Sequence, residues 1–216
     1  MPFNLPNYNK IESFIEKKSQ NKVKIIAVSK YHSIESIQEA INSGLRIFGE
    51  NRMQEAKSKY VKFKTIFKEI ELHLTGPLQT NKVKSALQVF DVFQTLDREK
   101  LANEFYKYKE SLQQKSFFIQ INTGKEINKS GVYAESADEF IKYCLYDLNL
   151  PIVGLMCIPP LLENPGPHFS ILRRIAAKNN LKQLSMGMSR DYEEAILGGA
   201  THIRVGTALF GSRDEK

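Results

Sequence analysis

The residues able to do chemistry in this sequence stand where short apolar runs stop. Lys30 closes the segment IIAVSK (25–30). Held over an apolar cavity, its ammonium would lose hydration, its pKa would fall, and the neutral amine could attack an aldehyde. On position alone a solvated strand-end lysine is the stronger reading. FGEN (48–51) brings Glu50 and Asn51 to the end of a second run, where Gly49 permits an unusual backbone or a close ligand approach. In LHLTGPLQTNK (72–82), two-residue alternation puts His73 with Thr75 on one face and Leu72 with Leu74 on the other. A lone strand histidine is more often a hydrogen-bonded core residue than a catalyst. The four histidines, His32, His73, His168 and His202, show no metal-ligand spacing, so no metal site is expected. In IVGLMCIPP (152–160), Gly154 is read as leaving room inside the fold; Met156 and Cys157 face a ligand or simply pack.

The last two runs carry more. LSMGMSRD (184–191) sets Gly187, Met188 and Ser189 before a helical pattern, and HIRVGTALFG (202–211) ends at Gly206 and Thr207 before a short helical turn. Each alone is an ordinary glycine turn with a helix cap. Paired on adjacent strands, they point to a cradle for one phosphate, whose charge outward-facing backbone N–H groups favour. Alternation puts His202, Arg204 and Gly206 on one face, and a buried arginine is rare unless it meets an anion or an acceptor.

These residues need a frame that brings strand ends together. Apolar, β-rich runs are legible at 23–29, 46–49, 70–75, 89–95, 116–122, 152–157, 183–186 and 201–206. Helical patterns fall at 34–43, 52–67, 80–87, 98–112, 137–148, 167–179 and 190–197, and an extra one at 8–18 precedes the first strand. Eight strands alternating with helices predict an α/β fold, a single (β/α)8 TIM-type barrel with an N-terminal helix, spanning 1–216 as one domain. An open doubly wound sheet fits less well, because no glycine-rich dinucleotide turn follows the first strand. Such barrels place their chemistry at the carboxyl ends of the strands, with phosphate near the seventh and eighth.

Composition narrows the class. The chain has 216 residues, 42% hydrophobic and 25% charged, as in ordinary globular proteins. No signal peptide is legible in MPFNLPNYNKIESF, and no run approaches the roughly 20 apolar residues of a membrane span. The two cysteines, Cys144 and Cys157, form no disulfide framework, so a reducing cytoplasm is expected. The net charge of +7 comes from lysines spread along helical faces (Lys57, Lys59, Lys62, Lys64, Lys68) rather than gathered in a block. That argues against nucleic acid as a partner. Without a long heptad or a large exposed apolar patch, a monomer is the expectation.

Taken in order, AVSK (27–30), FGEN (48–51), GPLQTNK (76–82), GLMCIPP (154–160), LSMGMS (184–189) and RVGTALFG (204–211) resemble the pyridoxal phosphate homeostasis proteins. These are the YggS/PROSC type of barrels that bind pyridoxal 5'-phosphate (PLP). The resemblance runs from about 23 to 213. It implies a barrel related to the N-terminal domain of alanine racemase. By position, Lys30 matches the lysine that forms an imine with PLP. Ser189, Gly206 and Thr207 match the phosphate turns, with a backbone contact from Met188. Arg204 matches the arginine facing the pyridine nitrogen, and Asn51 and His73 match polar groups lining the pocket. Leu72 stands where many members carry an aromatic residue, and Arg190 where many carry a small or acidic one. Lys129 matches a common family lysine, a candidate for receiving or passing on PLP.

The resemblance implies a reversible carrier or buffer of PLP that takes part in intracellular PLP homeostasis, with apo PLP enzymes as partners. An always-protonated Arg204 would keep the pyridine nitrogen unprotonated and weaken the electron sink that PLP enzymes exploit. Racemases with such an arginine rely on a base from an additional C-terminal domain of a partner subunit. With the chain ending at Lys216, no such domain is expected, so no residue is assigned as catalytic. Two rivals stay open: a racemase-like PLP enzyme using His73 as its base, and a PLP-free phosphate-ligand barrel in which Lys30 is only electrostatic.

Overall fold

The structure is a computed structural model that describes residues 2–20 and 22–211; Arg213, near the far end of the resembling stretch, lies outside them. Helix α1 (Leu5–Lys18) leads into β1 (Lys24–Val28), α2 (Ile34–Asn42), β2 (Ile47–Glu50), α3 (Met53–Ile66), β3 (Glu71–Leu74), α4 (Val83–Leu87) and β4 (Val92–Leu96). There follow α5 (Glu99–Tyr106), β5 (Ser116–Asn122), β6 (Val132–Tyr133), α6 (Ala137–Lys142), β7 (Ile152–Cys157), α7 (Pro165–Lys178), β8 (Gln183–Ser185), α8 (Tyr192–Leu197), β9 (His202–Val205) and α9 (Thr207–Phe210). The parallel ladder runs β4-β3-β2-β1-β9-β8-β7-β5, and β4–β5 pairing closes it into the expected barrel. The two-residue β6, which the sequence did not announce, adds to β5 at Ile121 and Asn122.

The alternation of each strand divides the interior in two. Outward residues such as Ala27, Phe48, Leu72, Leu74, Phe93, Phe117, Ile119, Leu155, Ile203 and Val205 belong to the main core beneath the helices. Phe93, Phe105 and Phe117 meet there with ring centroids 4.7–5.1 Å apart across the β4–β5 seam. Inside the barrel the apolar filling is small: Val92, Phe118 and Met156 form their own cluster, with Val153 against it. Met156 therefore packs rather than facing a ligand. The other lumen positions hold the polar side chains of His73, Gln94, Ser185, His202 and Arg204, all buried, with Ile26 beside Gly49.

Local rules set the helix ends. Asn4 caps α1 by accepting from the Asn7 N–H at 3.0 Å, with Pro6 in the first turn, so the helix begins earlier than 8. Asn164 and Pro165 likewise start α7 ahead of 167. Val89 and Phe90, read as strand, instead close the turn after α4 through bonds to the Ala86 carbonyl. The helix expected at 98–112 stops at Tyr106, and that at 137–148 passes into a wider π-type turn at Tyr143–Asp147. Gly154 does not leave room in the lumen. A Cβ there would lie 2.1 Å from the Gln183 carbonyl oxygen, so the glycine is needed for the close approach of β7 and β8.

Candidate functional site

A cavity of about 510 Å³ opens at the carboxyl ends of the strands, a volume that suits a cofactor-sized molecule. Lys30, Asn51, Met188, Ser189, Arg204, Gly206 and Thr207 all line it, together with Val28 and Thr75. Of the eight residues expected to hold PLP, the barrel thus gathers all but one in one place.

The exception is His73. It is fully buried, with Nε2 2.8 Å from Glu71 Oε1 and Nδ1 2.9 Å from Gln94 Nε2. The alternation was read correctly, since Thr75 on the same face does reach the cavity. His73 sits two residues nearer the start of β3, one layer deeper in the lumen. Burial lowers its pKa, with Glu71 opposing the shift.

Lys30 follows β1 on a sharply turned backbone, because the next residue, Tyr31, takes a left-handed φ of 67°. A non-glycine residue there costs energy and persists only where its surroundings fix it. Helix α3 fixes it from both sides: Glu55 Oε1 accepts from the Tyr31 N–H at 2.5 Å, and Lys59 Nζ donates to the Ser29 carbonyl at 2.9 Å. Lys59 also pairs with Glu50 and Glu55 at 3.2 and 2.6 Å, and its side chain is only 10% exposed. It is not one of the solvated helix lysines its spacing suggested. Beneath the turn, Ser29 Oγ donates to Glu50 Oε1 at 2.8 Å and accepts from the Tyr60 hydroxyl at 2.6 Å. Glu50 Oε2 is buried without a hydrogen-bond partner. Burial pushes the Glu50 carboxyl up to about 6, against the pull of Lys59. Sequence reading put Glu50 at the rim; the fold turns it outward under α3, into a platform for the lysine turn. The one available signal was the Glu55–Lys59 pair at helical spacing.

The two glycine-plus-hydroxyl turns meet. Ser189 Oγ accepts from the Ala208 N–H at 3.2 Å, which leaves its own proton to donate and ties the turn after β8 to the start of α9. Gly187 has φ of +91°, and a Cβ there would strike Ala195 Cβ at 2.5 Å, so this turn requires glycine. Met188 lines the cavity, but its N–H is taken by Asp191 Oδ1 at 2.6 Å. The backbone contact expected of Met188 is therefore engaged within the protein. Asp191, Glu163 and Glu194 bring carboxylates to the cavity, and Arg190 brings a cation.

Arg204 forms part of the cavity wall from inside the barrel and is 5% exposed. Nη1 donates to Ser185 Oγ and Nη2 to the Cys157 carbonyl, each at 2.8 Å. Cys157 faces this site with its backbone; burial raises its thiol to about 12, so it stays protonated and unreactive. Lys129 lines a neighbouring cavity of about 210 Å³ that shares Asn51, Thr75 and Ile158 with the first. Among the described residues, no group of three or more His, Cys, Asp or Glu could hold a metal, and no helix is long and apolar enough to cross a membrane.

Comparison with known proteins gives this geometry a family. The model of the alanine racemase N-terminal domain matches residues 6–214. A protein of Aquifex aeolicus named pyridoxal phosphate homeostasis protein is 41% identical over 207 residues, covering 91% of this chain and 90% of its own. The chain belongs to the pyridoxal phosphate homeostasis proteins, within the alanine racemase N-terminal-domain family. Other members include one from Haemophilus influenzae, 35% identical over 92% of this chain and 89% of its own. The structure of PipY from Synechococcus elongatus PCC7942 with PLP bound superposes with a TM-score of 0.83 at 33% identity, covering 95% of this chain and 100% of that one. Alanine racemase from Acinetobacter baumannii shares the fold, with a TM-score of 0.73 at 16% identity over 96% of this chain and 61% of its own.

Proposed function

We propose that this chain binds PLP as an imine on Lys30 and takes part in intracellular PLP homeostasis as a carrier or buffer of the cofactor. The observation that carries the reading is the meeting of Lys30, Arg204 and the two hydroxyl-bearing turns in one cavity. The donor set fits PLP: an amine for the aldehyde, Ser189 and Thr207 for the phosphate, and a guanidinium for the ring nitrogen. Bound there, PLP supplies an aldehyde carbon that amines attach to and leave by exchange.

The chain's own residues do the holding. The α3 platform fixes where Lys30 leaves the backbone, and the Ser189–Ala208 bond sets the spacing of the phosphate turns. Arg204 donates at the cavity wall and gives no acidic partner to the ring nitrogen. Asn51, whose Oδ1 accepts from Thr75 Oγ1 at 2.9 Å, holds the opposite wall. His73, the base a racemase would need, is engaged a layer below the cavity, which favours carriage over turnover. The reading extends to one cytoplasmic domain, acting as a monomer and passing the cofactor to apo PLP enzymes. It is tested by titrating PLP into Lys30→Ala and Lys30→Arg proteins. Both should lose the visible band of the loaded protein while keeping their fold; full binding by Lys30→Arg would instead favour a purely electrostatic lysine.

A further inference from the structure

A polar thread crosses the barrel lumen from the cavity to the opposite mouth, and the holding of PLP described above uses only its first member, Arg204. Arg204 Nη1 lies 2.8 Å from Ser185 Oγ, which lies 2.6 Å from Gln94 Oε1. Gln94 Nε2 is 2.9 Å from His73 Nδ1, and His73 Nε2 is 2.8 Å from Glu71 Oε1. Lys24 Nζ reaches the same carboxylate oxygen at 3.3 Å. The members come from β9, β8, β4, β3 and β1. His73, Gln94 and Ser185 are fully buried, whereas the side chains of Glu71 and Lys24 are 34% and 43% exposed at the far end.

The thread has one chemical sense. A guanidinium only donates, so Ser185 Oγ accepts from Arg204 and gives its own proton to Gln94 Oε1. That turns the Gln94 amide N–H towards His73 Nδ1, which must be bare. The ring proton therefore sits on Nε2 and is donated to Glu71. Every bond points the same way, from a buried cation to an anion at the other mouth. Ser185 Oγ and the Cys157 carbonyl, which accept from Arg204, are both neutral, and the carboxylate that acts on it across the cavity is Asp191, so Glu71 is a second, remote counter-charge reached only through the thread. A buried arginine is costly without a counter-charge, and aligned hydrogen bonds in a low-dielectric interior polarise one another. Glutamine suits the middle position because it accepts at one end and donates at the other.

We propose that Ser185, Gln94, His73 and Glu71 are positioning residues that fix the Arg204 guanidinium at the cavity and couple it to a remote counter-charge, Glu71. The charge at the far mouth then sets how strongly Arg204 acts on bound PLP. This rests on the reading that Arg204 faces the ring nitrogen.

Two experiments test it. In the PLP-free protein, nitrogen NMR of labelled histidine should find His73 neutral with its proton on Nε2. The groups facing that ring are Glu71, Lys24, Asp91 and His202, and burial keeps it neutral against the carboxylates. Gln94→Glu presents only acceptors to Nδ1, so His73 should then become an imidazolium. A proton on Nδ1 in the native protein overturns the thread. In the PLP-loaded protein, Glu71→Gln keeps an acceptor for His73 but removes the charge. It should move the pH midpoint of the visible band downward by about half a unit or more, because Arg204 becomes less compensated. Because PLP is an anion, the less compensated Arg204 should also hold it about three- to tenfold more tightly, the scale of coupling carried through packed networks. Glu69→Gln, which removes a carboxylate paired with Arg46 near the same mouth, should do neither. Arg204→Lys separates the two layers of the argument. If it moves the band and Glu71→Gln does not, the remote coupling is wrong. If neither moves it, the assignment of Arg204 to the ring nitrogen is wrong, and the proposal falls with it.

Discussion

A lysine at a strand end is ordinary; what distinguishes Lys30 is the turn that presents it. The left-handed Tyr31 and the two α3 side chains that pin its flanks fix where the amine starts from. Across the cavity, Ser189 keeps a proton to donate, and Thr207, at the start of α9 after the next strand, offers a second hydroxyl. Hydrogen bonds to a charged group contribute about 1.5–3 kcal/mol each. Replacing both residues with alanine should therefore weaken PLP at least about tenfold in a titration, while borohydride still traps the cofactor on Lys30. An unchanged affinity would remove the phosphate assignment. At this scale the sequence was informative about residues that end strands, because strand ends converge in any such barrel. It misplaced Lys59 and Glu50, whose burial depends on how α3 lies over β1 and β2. It also misjudged His73, because two-residue alternation gives the face of a strand but not the depth along it.

Among the elements, α3 with β1 and β2 makes the clearest prediction. Glu50 is buried, and its carboxyl is raised from its ordinary 4.5 to about 6. The folded state then holds this proton more tightly than the unfolded chain. The resulting stabilisation is complete below about pH 4.5 and is lost as pH rises through 6, a change of about 2 kcal/mol. Glu50→Gln cannot titrate. Its stability relative to the native protein should therefore rise by about 2 kcal/mol between pH 4 and pH 7 in urea unfolding. A flat or falling difference would mean that the Lys59 pair holds Glu50 ionised throughout. Element boundaries were less legible than element types. The β4 run was misplaced because Val89 and Phe90 are as apolar as a strand while closing a helical turn. Gly154 was misread because its reason lies in β8, a neighbour in space and not in sequence.

The whole molecule is a closed ladder, and the cavity draws on the ends of β1, β2, β3, β7, β8 and β9. No subset of strands could keep the site once the ring opens. The β4–β5 seam that closes the ring carries the Phe93–Phe105–Phe117 cluster and an irregular register. Phe117→Ala should cost about 3–5 kcal/mol, and far-ultraviolet ellipticity and the visible band of the loaded protein should be lost in one shared denaturant transition. A band that disappears well before the ellipticity would show that the site can come apart while the barrel stands. The barrel itself was legible because eight β-rich runs alternate with helical ones, and few folds accommodate that count. The short β6 escaped notice, since two residues carry no periodicity.

The central claim is that Lys30 is the point of attachment for PLP. The direct measurement is the visible spectrum of the purified protein with PLP, before and after borohydride, followed by mass mapping of its peptides. The account predicts a band that reduction erases and a pyridoxyl mass on the peptide containing Lys30. The absence of a band, or a label spread over the many surface lysines, would contradict it.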